Sequence, residues 1–250
     1  MGMSARADIL THTEQVPLGN GPPMSAYVAQ PAEDQARSAV IVAGELFGVS
    51  AHVRDVCERL AQLGYLALAP DLYHRTAPRI ELAHDAAGRE RGFELLRQMT
   101  RDEVIDDVRA AIEHVRARGV DRVGMVGLSV GGHVAYLAAT ALDLAAVAVL
   151  YGGWIPTTDI PLSRPEPTLT RTRAISARML ILVGENDHIV PRVQRQAIGD
   201  ALRTAGVRHE LIEYPGAPHG FLCDRRDSYD AAAAEDAWRR IETLLADELR

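Results

Sequence analysis

The chain of 250 residues contains no lysine: every one of its 27 basic side chains is arginine. That absence excludes the P-loop lysine, the Schiff-base aldolase and the pyridoxal phosphate enzyme together, because each needs a primary amine. Cysteine is scarce. Cys57 and Cys223 are the two present, and neither belongs to a C-x-x-C pair. A zinc site and a dithiol redox motif are therefore not expected, and the thiols read as free in a reducing compartment. No apolar run approaches the roughly 18 residues that a membrane span needs. Residues 1–10 carry Asp8 where a secretion signal would be apolar, and Arg6 where a myristoylation start would have Ser or Thr. A cytoplasmic location is expected. Basic charge is also short. With 34 acidic residues the net charge is −7, so no electropositive footprint for nucleic acid is present.

A chain of this length can bury roughly 70–75% of its unfolded surface, enough for a core without disulfide or metal staples. One domain over residues 1–250 is expected. Short apolar runs alternate with amphipathic segments. Residues 38–43, 65–69, 123–126, 145–151, 179–183 and 209–214 read as strands. Residues 51–64, 101–119, 131–142, 190–205 and 231–248 read as helices, with Val104, Val108, Ile112 and Val115 in helical register as one example. Apolar strands separated by helices predict an α/β fold, a mostly parallel sheet covered on both faces. Residues 9–16 and 24–30 read as an antiparallel hairpin at the sheet edge, turning at Gly19-Asn20-Gly21. Two long loops, 71–83 and 152–174, are expected to shape a site.

Gly127-Leu128-Ser129-Val130-Gly131 is a G-x-S-x-G motif between a strand and a helix. That context is the nucleophile elbow, which raises a serine hydroxyl at the carboxyl end of a sheet beside a helix N-terminus. G-x-G-x-x-G is absent, which excludes the dinucleotide reading of this turn. A serine nucleophile needs a base and an acid that orients it, in the chain order Ser, Asp or Glu, His on such a sheet. Asp187 follows one late strand and His219 follows the next. Glu185 is the rival acid, and His133 and His188 are the rival bases.

At this point the sequence resembles the dienelactone hydrolase family of α/β-hydrolases. The resemblance rests on Gly44-Glu45-Leu46-Phe47-Gly48, Pro70-Asp71-Leu72-Tyr73, the elbow, Gly184-Glu185-Asn186-Asp187 and Pro218-His219-Gly220-Phe221. It implies Ser129 as nucleophile, Asp187 as acid and His219 as base, with backbone N–H groups of Leu46 and Val130 as the oxyanion hole. It implies a place beside the nucleophile for Glu45, and substrate contacts at Arg75, Tyr73 and Phe221. Two features depart from the family. Serine stands where its best-known members carry cysteine. The stretch after His219 reads Phe221-Leu222-Cys223-Asp224, so the arginines Arg225 and Arg226 come later than the family's carboxylate-binding one.

The expected activity is carboxymethylenebutenolidase-type hydrolysis of an ester or lactone, without cofactor or metal. The expected partner is a small molecule, with no nucleic acid and no membrane. Monomer and homodimer are equally compatible with the surface. A thioesterase or an acyltransferase on the same fold, and a ligand receptor without catalysis, are the alternatives.

Overall fold

The computed structural model describes residues 8–19, 21–33 and 36–250. Among these residues eight strands form one sheet in the order β1-β2-β4-β3-β5-β6-β7-β8. They are β1 (Ile9–Val16), β2 (Met24–Pro31), β3 (Ser38–Ala43), β4 (Leu66–Pro70), β5 (Arg122–Leu128), β6 (Ala146–Leu150), β7 (Arg178–Gly184) and β8 (His209–Tyr214). β2 runs antiparallel to both β1 and β4, and every other neighbouring pair is parallel. The edge hairpin is thus present, with Val16 opposite Met24. Asn20 of its expected turn lies outside the described residues.

Among the described residues six α-helices cover the sheet: α1 (Ala51–Gln62), α2 (Ala86–Leu96), α3 (Arg101–Arg116), α4 (Val130–Ala139), α5 (Arg192–Ala205) and α6 (Ala231–Leu249). Successive strand residues serve opposite layers. Ile41 joins the core under α3, α4 and α5, whereas Val40 and Val42 join the core under α1 and α6. This is why the central strands β3 to β7 are mainly apolar: both of their faces are buried. Because β5, β6, β7 and β8 run parallel, the loops that follow β5, β7 and β8 leave the sheet at the same end.

One element has no counterpart in the sequence reading. Residues 84–100 show little periodicity, yet residues 86–96 form α2, capped by the Asp85 carboxylate accepting from Gly88 N at 2.8 Å. Two of its four buried residues are Gly88 and Gly92, which carry no apolar signal. Gly92 allows close approach, because a Cβ there would stand 2.7 Å from the Leu46 carbonyl oxygen. Helix α5 begins at Arg192, two residues later than the periodicity suggests, because Pro191 occupies its N-cap in extended backbone. The long segment 152–174 contains two short 3-10 helices, Pro161–Ser163 and Thr168–Ala174.

Candidate active site

Ser129 follows β5 directly and precedes the first residue of α4. Its backbone is strained, at φ 56° and ψ −113°. The turn is tight enough to require glycine on both sides. A Cβ at Gly127 would lie 2.1 Å from the Gly131 carbonyl oxygen, and one at Gly131 would lie 2.0 Å from that of Ala43. Ser129 N donates to Leu150 O at 3.0 Å, tying the elbow to β6.

Asp187 and His219 come from the loops after β7 and β8. These loops hold each other: Asn186 N donates to Ala217 O, and Asn186 Nδ2 donates to Gly216 O. Gly184 has no room for a side chain, since a Cβ would meet Ala217 O at 2.1 Å. The result is a connected line of polar groups. Ser129 Oγ lies 2.9 Å from His219 Nε2, and His219 Nδ1 lies 2.8 Å from Asp187 Oδ2. The other Asp187 oxygen accepts from Ile189 N and Val190 N at 2.8 and 3.0 Å. Three donors therefore hold the carboxylate and determine its orientation. With Asp187 accepting, His219 Nδ1 is the donor and Nε2 is left to accept from the Ser129 hydroxyl. Tyr151 packs edge-on against the His219 ring at 5.1 Å.

Ser129 and His219 open onto a cavity of about 460 Å³, a size that suits a small organic molecule. Leu46 and Val130 line it beside the serine. Phe93 and Trp154 form a T-shaped pair on its wall, with ring centroids 6.3 Å apart. Arg89, Arg225 and Arg226 supply positive charge. Among the described residues no group of three or more His, Cys, Asp and Glu side chains could hold a metal ion.

The model of the dienelactone hydrolase family matches residues 24–249. The chain belongs to the dienelactone hydrolase family. A protein of Synechocystis sp. named "Putative carboxymethylenebutenolidase" is 36% identical over 230 residues, which cover 91% of this chain and 93% of the relative. A relative of the same name from Escherichia coli K12 is 35% identical, over 88% of this chain and 81% of its own. The crystal structure of a "Putative Dienelactone Hydrolase" from Klebsiella pneumoniae superposes with a TM-score of 0.86 at 31% identity, covering 96% of this chain and 99% of that one. The architecture is that of an α/β-hydrolase, and no helix among the described residues is long and apolar enough to cross a membrane.

Of the three rival residues of this hydrolase, Glu185 and His133 lie off the cavity. Glu185 is exposed and accepts from Gly216 N at 3.1 Å. His133 is completely buried, with its ring nitrogens on Gly153 O and Thr168 Oγ1. His188 does line the cavity, with its ring 6.4 Å from that of His219.

The structure moves the three expected substrate contacts of this hydrolase off the cavity. Arg75 is drawn away by Asp107 of α3, a buried carboxylate 2.5 Å from its guanidinium that also takes His74. Tyr73 is buried, and its hydroxyl donates to Leu46 O at 3.1 Å, so it supports the loop carrying Leu46. Phe221 is fully buried between the Tyr151 and Tyr214 rings. The residues that do line the wall, Arg89, Phe93 and Trp154, carry no motif in the sequence. Arg89 and Phe93 belong to the weakly periodic α2, and Trp154 stands in a loop without a motif.

Glu45 pairs with Arg226 rather than with the nucleophile. Its second oxygen is buried and without a hydrogen-bond partner. Arg226 also lies over the Phe47 ring, 4.8 Å from its centroid, and donates to His84 Nδ1 at 3.4 Å. Burial, with the Arg226 charge nearby, lowers the pKa of His84, and burial lowers that of His52. Both shifts favour the neutral imidazole, and Arg226 is the cation paired with Glu45.

Proposed function

We propose that this hydrolase cleaves a small carboxylic ester or lactone through an acyl-enzyme on Ser129. The observation that carries the reading is the line Ser129 Oγ, His219, Asp187, with both hydrogen bonds shorter than 3 Å, at the floor of an open cavity. Ser129 Oγ attacks the carbonyl carbon while its proton passes to His219 Nε2. The carbonyl electron pair moves onto oxygen, and in this reading the N–H groups of Leu46 and Val130, both residues of the cavity lining, donate to it, each worth about 3–4 kcal/mol in comparable sites. Collapse of that intermediate expels the alcohol oxygen, which takes the proton back from His219. Water then loses a proton to the same nitrogen and attacks the acyl carbon; collapse breaks the bond to Ser129 Oγ, which takes the proton from His219, and the acid is released. Asp187 holds the imidazole in the tautomer this requires and stabilises the imidazolium. The reaction calls for no cofactor.

Arg89 supports a substrate that carries a negative charge. Its guanidinium forms no ion pair among the described residues, while Arg225 is paired with Asp55 and Arg226 with Glu45. A lactone bearing a carboxylate, the chemistry in the name of the curated relatives, fits that arrangement.

The test is a burst assay with a p-nitrophenyl ester, followed by intact mass after a fluorophosphonate. The wild type is expected to turn over and to gain one adduct. Ser129→Ala is expected to do neither, and wild-type turnover in that variant would overturn the reading.

A further inference from the structure

His133 is a buried imidazole that the reaction does not use. It lies one helical turn beyond Ser129 on α4, and its backbone N–H donates to Ser129 O at 3.2 Å. Burial lowers its pKa to about 4, so the ring is neutral at neutral pH and has one donor and one acceptor nitrogen. Nδ1 donates to Gly153 O at 2.8 Å, and Nε2 accepts from Thr168 Oγ1 at 2.9 Å. The next residue after Gly153 is Trp154, the cavity wall. Trp154 has φ 59°, a left-handed conformation that a bulky side chain adopts only when its surroundings hold it there. Its own carbonyl accepts from the buried Ser163 hydroxyl at 3.2 Å. Arg101 of α3, also buried, braces the same segment through Leu162 O and Glu166 O.

We propose that His133 is a positioning residue that holds Trp154 as the far wall of the acyl pocket, so that it determines which acyl groups the hydrolase accepts. The inference rests on the ester-hydrolysis reading above. The physical basis is a shared frame. The nucleophile and the first residue of the wall are both bonded to the first turns of α4, so the distance between Ser129 and Trp154 is held by one rigid helix. A leucine at position 133 would satisfy the apolar surroundings equally well. It would leave Gly153 O and Thr168 Oγ1 without their partner, and Trp154 would lose its restraint.

The test uses the full chain and p-nitrophenyl esters from acetate to octanoate. His133→Leu is expected to change the ratio of kcat/KM between short and long esters by about tenfold, the scale on which pocket shape discriminates methylenes. The change should fall in KM, with kcat on the acetate within about threefold of wild type, because the triad is untouched. His133→Asn, whose amide can still donate to Gly153 O, should restore the wild-type profile. Trp154→Ala should shift the profile in the same way and show no further change when combined with His133→Leu. A folded His133→Leu with the wild-type profile, or an effect additive with Trp154→Ala, would overturn the proposal. If His133→Leu does not fold, Thr168→Val removes one of the two ring bonds and should shift the profile in the same direction; an unaltered profile there also overturns it. A second readout is independent of catalysis. Trp154 and Trp238 are the two tryptophans. In a Trp238→Phe background, His133→Leu should raise acrylamide quenching of Trp154. Unchanged quenching counts against the proposal. Absence of hydrolysis and of Ser129 labelling in the wild type would instead sink the ester reading, and the quenching result would still decide the role of His133.

Discussion

Ser129 stands at a backbone conformation that costs a non-glycine residue of order 1–3 kcal/mol, and it persists because the elbow is held from β6, α4 and two glycines. The same over-determination applies to Asp187, whose two oxygens have three fixed donors. Asp187→Asn should therefore leave the fold intact and lower kcat on an activated ester by about 10⁴-fold, since the amide favours the wrong imidazole tautomer. Glu45→Gln should cost far less, because Glu45 faces Arg226 and not the Ser129–His219 pair. Steady-state kinetics on the two variants checks this, and a larger loss at Glu45 would show that it activates the serine. Arg226→Met leaves a buried carboxylate without its counter-charge and should destabilise by about 3 kcal/mol. Urea denaturation should show that loss, with partial recovery in the double variant Glu45→Gln/Arg226→Met. Ser129, Asp187 and His219 can be singled out in the chain because each follows a recognisable strand. The pairing of Glu45 with Arg226 cannot, because 181 positions separate the partners.

Among the elements, α4 and α2 differ most in how they are encoded. All ten residues of α4 are buried, and its amphipathicity is accordingly weak, but the G-x-S-x-G turn announces where it starts. Gly131→Ala places a methyl carbon against the Ala43 carbonyl, a backbone group that cannot rotate away. The expected cost is about 3 kcal/mol or more. A lower urea midpoint with an unchanged m value, together with loss of fluorophosphonate labelling, would confirm it. Helix α2 has no such signal. Its inner face is made largely of Gly88, Gly92, Leu95 and Leu96, and its contribution to the cavity, Arg89 and Phe93, follows from how closely Gly92 lets it approach Leu46. The three displaced substrate contacts have a common cause as well. Position along the chain places Arg75, Tyr73 and Phe221 near the site, whereas Asp107, Leu46 O and the Tyr151–Tyr214 pair take their side chains.

Over the whole molecule, stability should depend on pH through His133. Its folded pKa of about 4 lies below the ordinary value of 6.5. Between those values the unfolded chain binds a proton that the native state does not, so stability is complete above pH 6.5 and falls as the pH drops toward 4. The full effect is about 3 kcal/mol. The difference in Tm between wild type and His133→Asn should therefore shrink as the pH is lowered from 7 to 4.5; a constant difference would show that burial of this imidazole is not linked to folding. The α/β architecture, the two-sided sheet with its edge hairpin, the elbow and the order of the three polar residues were legible in the amino-acid sequence, because apolar runs, glycine turns and strand order are local properties of a chain. The tertiary structure decided which side chains meet across the open end of the sheet. Ion pairs, carbonyl contacts and ring packing there join residues from different loops, and buried charges such as Asp107 and Glu45 select their partners by distance in the folded state. The wall built from Phe93 and Trp154 exists for the same reason: α2 and the 152–174 segment become neighbours only when both are packed on the same face of the sheet.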